Sequence, residues 1–115
     1  MLLLKMGFVY SQQAENNIET LVRNFMDTMV KQQKLNSYVD NIDNRIVNYF
    51  MVKNYKITKI DGDKAIVEID HGKGIYCTRI YLTMINSYGS YKIKSYPNKN
   101  PQLVNPWERK EKICN

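Results

Sequence analysis

Asp40 and Asp43 are the residues of this chain whose carboxylates could best act as a general base. They stand three positions apart in a segment predicted to be helical, which would make them surface neighbours. A carboxylate desolvated among aromatic rings gains a raised pKa and can accept a proton at neutral pH. Tyr38, Tyr49 and Tyr55 are the aromatic residues that could line such a pocket. We favour the alternative, in which Asp40 caps the helix and Asp43 lies in solvent.

The only histidine, His71, precedes Gly72 at the predicted end of a strand. Histidine catalysis needs positioned partners, and no serine or cysteine motif accompanies this residue. We therefore predict a solvated turn residue. The turn Gly72–Gly74 lacks the helix that follows a phosphate-binding loop, and the sequence has no cluster of metal-ligand residues. We predict no cofactor and no bound metal.

The two cysteines, Cys77 and Cys114, permit one disulfide. Such a bond would attach the C-terminal tail to the sheet and would require an oxidising compartment. No spacing argument joins the two residues, so the interpretation we favour is a pair of unpaired thiols.

The N-terminal segment Met1–Ser11 is a short apolar stretch with two interpretations. Val9 and Ser11 are small enough for the −3 and −1 positions of a signal-peptidase site, which would place the protein in the periplasm or outside the cell. Lys5 interrupts the apolar run and the charged n-region is missing, as expected of an ordinary segment of a cytoplasmic protein. No window of 18 apolar residues occurs, so we predict no membrane span.

Two helices are predicted before residue 52. The first should extend from about Gln13 to Lys34 and the second from about Tyr38 to Met51, although one longer bent helix is an alternative. The apolar residues of the first predicted helix share one face: Ile18, Leu21, Val22, Phe25 and Met29. The apolar residues of the second predicted helix also share one face: Val39, Ile42, Ile46, Tyr49 and Phe50.

From Tyr55 to Tyr96 the apolar period changes to two, which predicts four strands. The first starts at Tyr55, and the others span Lys64–Asp70, Ile75–Asn86 and Ser90–Tyr96. All connections are short, so the strands should form an antiparallel meander. One face is apolar and needs the first helix as a cover: Tyr55, Ile57, Ala65, Val67, Ile69, Ile80, Leu82, Met84, Tyr91 and Ile93.

The opposite face is mixed and is free for contacts. Its cations and tyrosines make the best case for nucleic-acid binding: Arg79, Lys92, Lys94, Tyr81 and Tyr96. Glu68 and Asp70 on the adjacent strand should pair with Arg79 and weaken the positive field. The formal net charge of +6 is spread along the sequence. We therefore favour a face of cross-strand ion pairs and regard nucleic acid as an unlikely partner.

The tail contains every proline of the chain and cannot supply an inner strand. Its single tryptophan, Trp107, either packs back onto the domain or anchors a partner. The predicted division is a possible signal remnant or extension at 1–13, an α+β domain at 14–96 and a proline-containing tail at 97–115.

Two stretches resemble the sheet of the nuclear transport factor two-like superfamily, which is cystatin-like in topology. They are Tyr55-Lys-Ile-Thr-Lys-Ile-Asp-Gly-Asp-Lys-Ala-Ile-Val-Glu-Ile69 and Thr78-Arg-Ile-Tyr-Leu-Thr-Met84, the latter continuing through Gly89-Ser-Tyr-Lys-Ile93. The likeness covers about residues 14–96 and is greatest to small bacterial domains of unknown function. It implies an α+β fold with N-terminal helices packed on a four-stranded antiparallel meander. The chain is shorter than the enzymes of the superfamily.

The resemblance implies a non-catalytic interaction domain or a holder of a small ligand, and it makes a homodimer through the sheet plausible. The interface would then include Arg79, Tyr81, Thr83, Ile85 and Tyr96. One alternative is a small lyase or isomerase with a pocket carboxylate. Another is an immunity or secretion-apparatus component, because the fold alone does not choose among these functions.

Overall fold

A computed structural model describes residues 17–73, 76–97 and 104–114. These residues form an α+β domain in which a helix packs on an antiparallel sheet, which confirms the predicted class. The predicted signal segment Met1–Ser11 and its cleavage position lie outside the described residues. So do residues 98–103 of the tail and residues 74–75 of the predicted β-turn.

Helix α1 covers residues 17–30 and buries the apolar face that the sequence predicted. It ends earlier than predicted, because Gln32 adopts a left-handed backbone with φ of 55°. Its buried side chains contact the sheet within one continuous core, and Leu21 is partly buried beside them. The fully or almost fully buried residues are Ile18, Val22, Phe25, Met26 and Met29.

The prediction of a second helix from Tyr38 to Met51 is wrong. Only one helical turn, α2 at Ile46–Tyr49, forms in this segment. Asn41 has a φ of 62°, which an α-helix does not tolerate. The side-chain oxygen of Asn44 accepts the Leu35 N–H at 2.7 Å, and Val39 forms a parallel bridge with Ile93. Most of the predicted apolar face, including Val39, Ile46 and Phe50, is therefore buried by an irregular chain at the edge of the sheet, whereas Tyr49 is exposed.

In the described part of the chain, the main sheet has five strands rather than the predicted four. The first four follow one another as an antiparallel meander, and the tail adds a further strand beside the third. The fourth strand also ends earlier than predicted. The strands are β1 at Asn54–Asp61, β2 at Lys64–Asp70, β3 at Cys77–Ser87, β4 at Ser90–Ile93 and β7 at Arg109–Lys112. A separate two-stranded sheet joins β5 at Tyr96–Pro97 to β6 at Val104–Asn105.

Strands β4 and β7 share one edge of β3. The chain leaves this edge at Lys94, whose N–H donates to the Thr83 carbonyl at 2.8 Å. It returns at Glu108, whose N–H donates to the Tyr81 carbonyl, also at 2.8 Å. Between these points the described residues, 95–97 and 104–107, leave the main sheet, and this excursion ends with the buried Trp107. The prolines at 97 and 106 lie in this excursion, so β7 itself keeps every backbone donor that pairing needs.

The core lies between α1 and the inner face of the sheet. Strands β2 and β3 bury every second side chain, as the period of two predicted. Burying one such aliphatic side chain contributes about 1.5–3 kcal/mol, so burial of this layer stabilises the fold. The buried strand residues are Ala65, Val67, Ile69, Ile80, Leu82, Met84 and Ile93.

Candidate functional site

The two candidate carboxylates are both held in ion pairs. Arg45 donates to both oxygens of Asp43, with Nη2 at 2.6 Å from Oδ2. The side-chain and backbone hydrogen bonds from Arg45 lower the pKa of Asp43 below its ordinary value. Asp40 is exposed and accepts from the Lys92 ammonium at 2.8 Å. A general base in a pocket needs a desolvated carboxylate. Asp40 is exposed and Asp43 is bound by Arg45, so neither carboxylate has that environment.

The three candidate pocket tyrosines do not line a common cavity in the part of the chain described. The Tyr55 hydroxyl donates to Asp27 of α1 at 2.6 Å. Burial first, and then this bond to a carboxylate, raise the pKa of Tyr55 to about 12. Tyr49 is 76% exposed. Tyr38 is half-buried at the sheet edge, where its carbonyl accepts the Ile93 N–H.

The prediction of a solvated His71 is wrong, since its exposed fraction is only 9%. Its Nδ1 contacts the Met51 carbonyl, so Nδ1 carries the proton in that bond. Nε2 lies 2.8 Å from the Thr78 hydroxyl and accepts from it when the ring is neutral. The imidazole thereby joins the segment after α2 to the start of β3. Both of its nitrogens are engaged in structural contacts.

The outer face of the sheet carries a row of alternating charges. Lys56, Glu68, Arg79 and Glu111 stand opposite one another on β1, β2, β3 and β7. Arg79 lies 3.1 Å from Glu68 and 3.8 Å from Glu111. The predicted pairing of Arg79 with Glu68 is therefore present, whereas the Asp70 carboxylate accepts the Gly72 N–H instead. We call these four residues the charge row.

An aromatic–guanidinium stack lies beside the charge row. The guanidinium carbon of Arg109 is 4.0 Å from the centre of the Tyr81 ring. The Tyr81 hydroxyl donates to the Glu111 carboxylate at 2.8 Å, and Arg109 lies 3.7 Å from the same carboxylate. Strand β7 supplies two of these three residues. The tail thus completes a surface that the first four strands only begin.

Shallow depressions lie on the outer face among the described residues. One holds about 240 Å³ beside the charge row and the cysteines. Another holds about 170 Å³ and is bordered by Tyr81, Lys64 and Glu108. Small-molecule sites usually enclose about 300–1,000 Å³. These depressions are therefore better suited to the protruding side chains of a partner than to an enclosed ligand.

A disulfide joins Cys77 to Cys114, so the interpretation as unpaired thiols is wrong. The Cα atoms lie 5.1 Å apart, well within the range that a disulfide spans. The pairing depends on β7, because the Ile113 N–H donates to the Cys77 carbonyl and brings Cys114 to the start of β3. The sequence permits this bond, but no pattern in it predicts β7, so the choice between a disulfide and two thiols could not be made correctly.

Four of the five predicted interface residues share the outer face of β3. They are Arg79, Tyr81, Thr83 and Ile85, which alternate with the buried positions of the strand. Tyr96 belongs to the separate sheet, where the Lys94 ammonium lies 5.1 Å from its ring centre. Among the described residues, the Thr83 hydroxyl is the one buried side-chain oxygen without a hydrogen-bond partner.

Residues 17–73, 76–97 and 104–114 contain no group of three side chains arranged to hold a metal ion. No helix in this part of the chain is long and apolar enough to cross a membrane. No protein-family model, curated protein or solved structure matches the chain. The resemblance to the nuclear transport factor two-like superfamily accordingly stays a prediction.

Proposed function

We propose that this chain is an exported, non-catalytic domain that binds a protein, a second copy of itself first of all, through the outer face of its sheet. The observation that carries the proposal is the stack of Tyr81 and Arg109 beside the charge row. Tyrosine and arginine are enriched at the energetic centres of protein interfaces. Their shared contact with Glu111 holds both in place before binding, which lowers the entropy cost of association.

The charge row supports self-association. Lys56, Glu68, Arg79 and Glu111 alternate in sign and are even in number. A two-fold axis that lies in the interface and runs across the row reverses the row in the second copy, so each cation then faces a carboxylate and each carboxylate a cation. The resemblance to the nuclear transport factor two-like superfamily makes the same partner plausible. An alternating row with an odd number of charges would place like charges opposite each other at every position.

The size of the face argues for a weak complex. Four strands spaced about 4.8 Å apart and about 23 Å long give a flat area of about 400 Å². Stable interfaces bury about 800 Å² on each partner. A second copy would thus dissociate readily unless the edges of the sheet also take part.

The disulfide supports export. Disulfides persist in oxidising compartments and are rare in the reducing cytosol. The bond between Cys77 and Cys114 closes the sheet edge that carries Glu111 and Arg109. The proposed binding face would therefore be complete only in an oxidising compartment, such as the periplasm or the cell exterior.

Sedimentation velocity of the oxidised protein over a wide concentration range tests the proposal. We expect a reversible dimer that Tyr81→Ala weakens at least tenfold, because this change removes the stack and the bond to Glu111. Tyr88→Ala is the matched control, since Tyr88 is fully exposed in the β3–β4 turn. A monomer at every concentration would overturn self-association. A dimer that is equally stable in both variants would exclude the outer face.

A further inference from the structure

Four aromatic rings contact one another in series, edge-on or tilted, from the core to the surface at the disulfide end of the domain. The ring centres of Trp107 and Phe50 are 4.4 Å apart, those of Phe50 and His71 4.7 Å, and those of His71 and Tyr76 5.0 Å. Trp107 is buried, whereas Tyr76 is 51% exposed. The outermost ring is therefore supported from behind by a rigid base. We call these four residues the aromatic stack.

Lysines surround the aromatic stack. The Lys110 ammonium lies 5.4 Å from the Phe50 ring centre. Lys112 stands opposite Thr78, whose hydroxyl contacts His71. The stem of Lys53 packs so closely on Gly72 that a Cβ there would lie 2.7 Å from it.

Lys73 follows Gly72 and is exposed. We call this region the basic end, defined by its four lysines: Lys53, Lys73, Lys110 and Lys112.

Positive charge exceeds negative charge at the basic end. No ion pair joins any of its four lysines to a described carboxylate, whereas Lys64 and Lys92 each have one. Asp70 lies at the same end of the sheet; its carboxylate accepts the Gly72 N–H, keeps its negative charge and offsets one of the four lysines. The remaining excess of positive charge attracts anions.

Uncharged side chains project between these lysines. Tyr76 is 51% exposed, and its ring contacts the ring of His71. Met51 is 43% exposed, and its carbonyl accepts the hydrogen bond from His71. Amphipathic rings and apolar tips flanked by lysines are typical of surfaces that contact a bilayer. There the rings occupy the headgroup level and the lysines extend to the phosphates.

We propose that the basic end docks on an anionic lipid surface. The use of lysine rather than arginine at the basic end favours a lipid surface over an acidic protein as the partner. All four cations are lysines, which act as flexible point charges, whereas fixed recognition of carboxylates favours the rigid fork of arginine. The outer face of the sheet uses Arg79 and Arg109 instead. The two surfaces therefore differ in their partner chemistry, and the lipid contact does not depend on the proposed self-association.

Co-sedimentation with phosphatidylcholine vesicles, with and without phosphatidylglycerol, tests this inference on the oxidised protein. We expect binding only to the anionic vesicles, and its loss in about 1 M NaCl, where charges are screened beyond about 3 Å. The double substitution Lys110→Gln/Lys112→Gln should lower the partition coefficient about 25-fold, at about fivefold per lysine. Met51→Ser should lower it by a smaller factor that salt does not change.

The matched control is Lys31→Gln/Lys34→Gln, which removes the same charge from exposed positions after α1. We expect it to change the partition coefficient less than twofold. An equal loss in both double variants would show that net charge alone attracts the protein and would overturn the site. Absence of binding to anionic vesicles would overturn the lipid partner, and in that case binding to polyglutamate would assign the basic end to an acidic protein. Circular dichroism of each variant checks that the fold is intact.

Discussion

The two faces of the sheet are built from the same strands and stabilise the protein to very different extents. On β3, Ile80 and Leu82 point into the core and are almost completely buried, whereas Arg79 and Tyr81 point outward between them. Burial of each inner side chain contributes about 1.5–3 kcal/mol. Each partly exposed outer ion pair contributes at most about 1 kcal/mol. The outer face can therefore be altered in sequence, and with it the choice of partner, at little cost to stability.

The largest expected change in stability comes from Trp107→Ala, which tests the contribution of the buried core on the inner face of the sheet. Removing a buried indole that packs on Phe50 should lower the free energy of unfolding by about 3–5 kcal/mol, because it leaves a cavity. Urea unfolding measures the loss. Tyr88→Ala serves as the exposed control and should change stability by less than about 0.5 kcal/mol. A loss below about 1 kcal/mol for Trp107→Ala would mean that the tail adds little to the core.

Loss of the disulfide comes next and affects both faces, because it frees β7. The bond closes a segment with a sequence separation of 37 residues. Replacing both cysteines by serine should therefore cost about 3–4 kcal/mol, mainly through the greater entropy of the unfolded chain. Thermal unfolding of the oxidised, reduced and Cys77→Ser/Cys114→Ser forms measures it. Identical melting temperatures, with the oxidised bond verified by mass spectrometry, would contradict the prediction.

A smaller effect is expected from Tyr55→Phe, which removes a polar contact between the sheet and α1. The bond to Asp27 should contribute about 1 kcal/mol at neutral pH after allowance for partial exposure. The pKa of Tyr55 is raised from about 10 in the unfolded chain to about 12 in the fold. Its stabilising effect is therefore complete below pH 10 and is lost as the pH rises towards 12.

Unfolding measured between pH 9 and 12 should show this decline for the wild type and a shallower one for Tyr55→Phe. Tyr88→Phe, at a fully exposed position, should follow the wild type. If the free energy of unfolding falls equally with pH in the wild type and in Tyr55→Phe, the contact with Asp27 does not cause the loss of stability at alkaline pH.

The smallest expected effect belongs to the outer face. A double-mutant cycle of Glu68→Gln and Arg79→Gln should give a coupling energy of about 0.5 kcal/mol, because both groups are about one-third exposed. Raising the salt concentration should reduce it further. Urea unfolding of the four proteins provides the values. A coupling above about 2 kcal/mol would remove the energetic distinction between the two faces.

The period of two predicted the faces of β2 and β3 correctly, because those strands bury alternate residues under a single helix. The same kind of pattern failed between Tyr38 and Met51. There the apolar spacing fits a helix, but Asn41 adopts a left-handed backbone and Asn44 accepts the Leu35 N–H, and both break the helix. Local periodicity indicates which residues tend to be buried, and it does not indicate which backbone buries them.

Three of the features that were missed depend on β7. Arg109–Lys112 is polar and short, so it has no strand signature of its own, and it pairs only because β4 leaves the edge of β3 unoccupied. Without that strand the disulfide, the Tyr81–Arg109 stack and the last member of the charge row cannot be placed. The burial of His71 likewise depends on Thr78 and Met51, neither of which the sequence places beside it.

The shared edge of β3 also determines an order of assembly. The first four strands contact their neighbours in sequence and can pair quickly as hairpins. The edge beside residues 78–81 stays open until the chain has completed the excursion and delivered β7. During that interval an unpaired strand is available to other chains, which favours aggregation. Oxidation of Cys77 with Cys114 ends this vulnerable period, so slow disulfide formation should lower the yield of refolding even where the final product is stable.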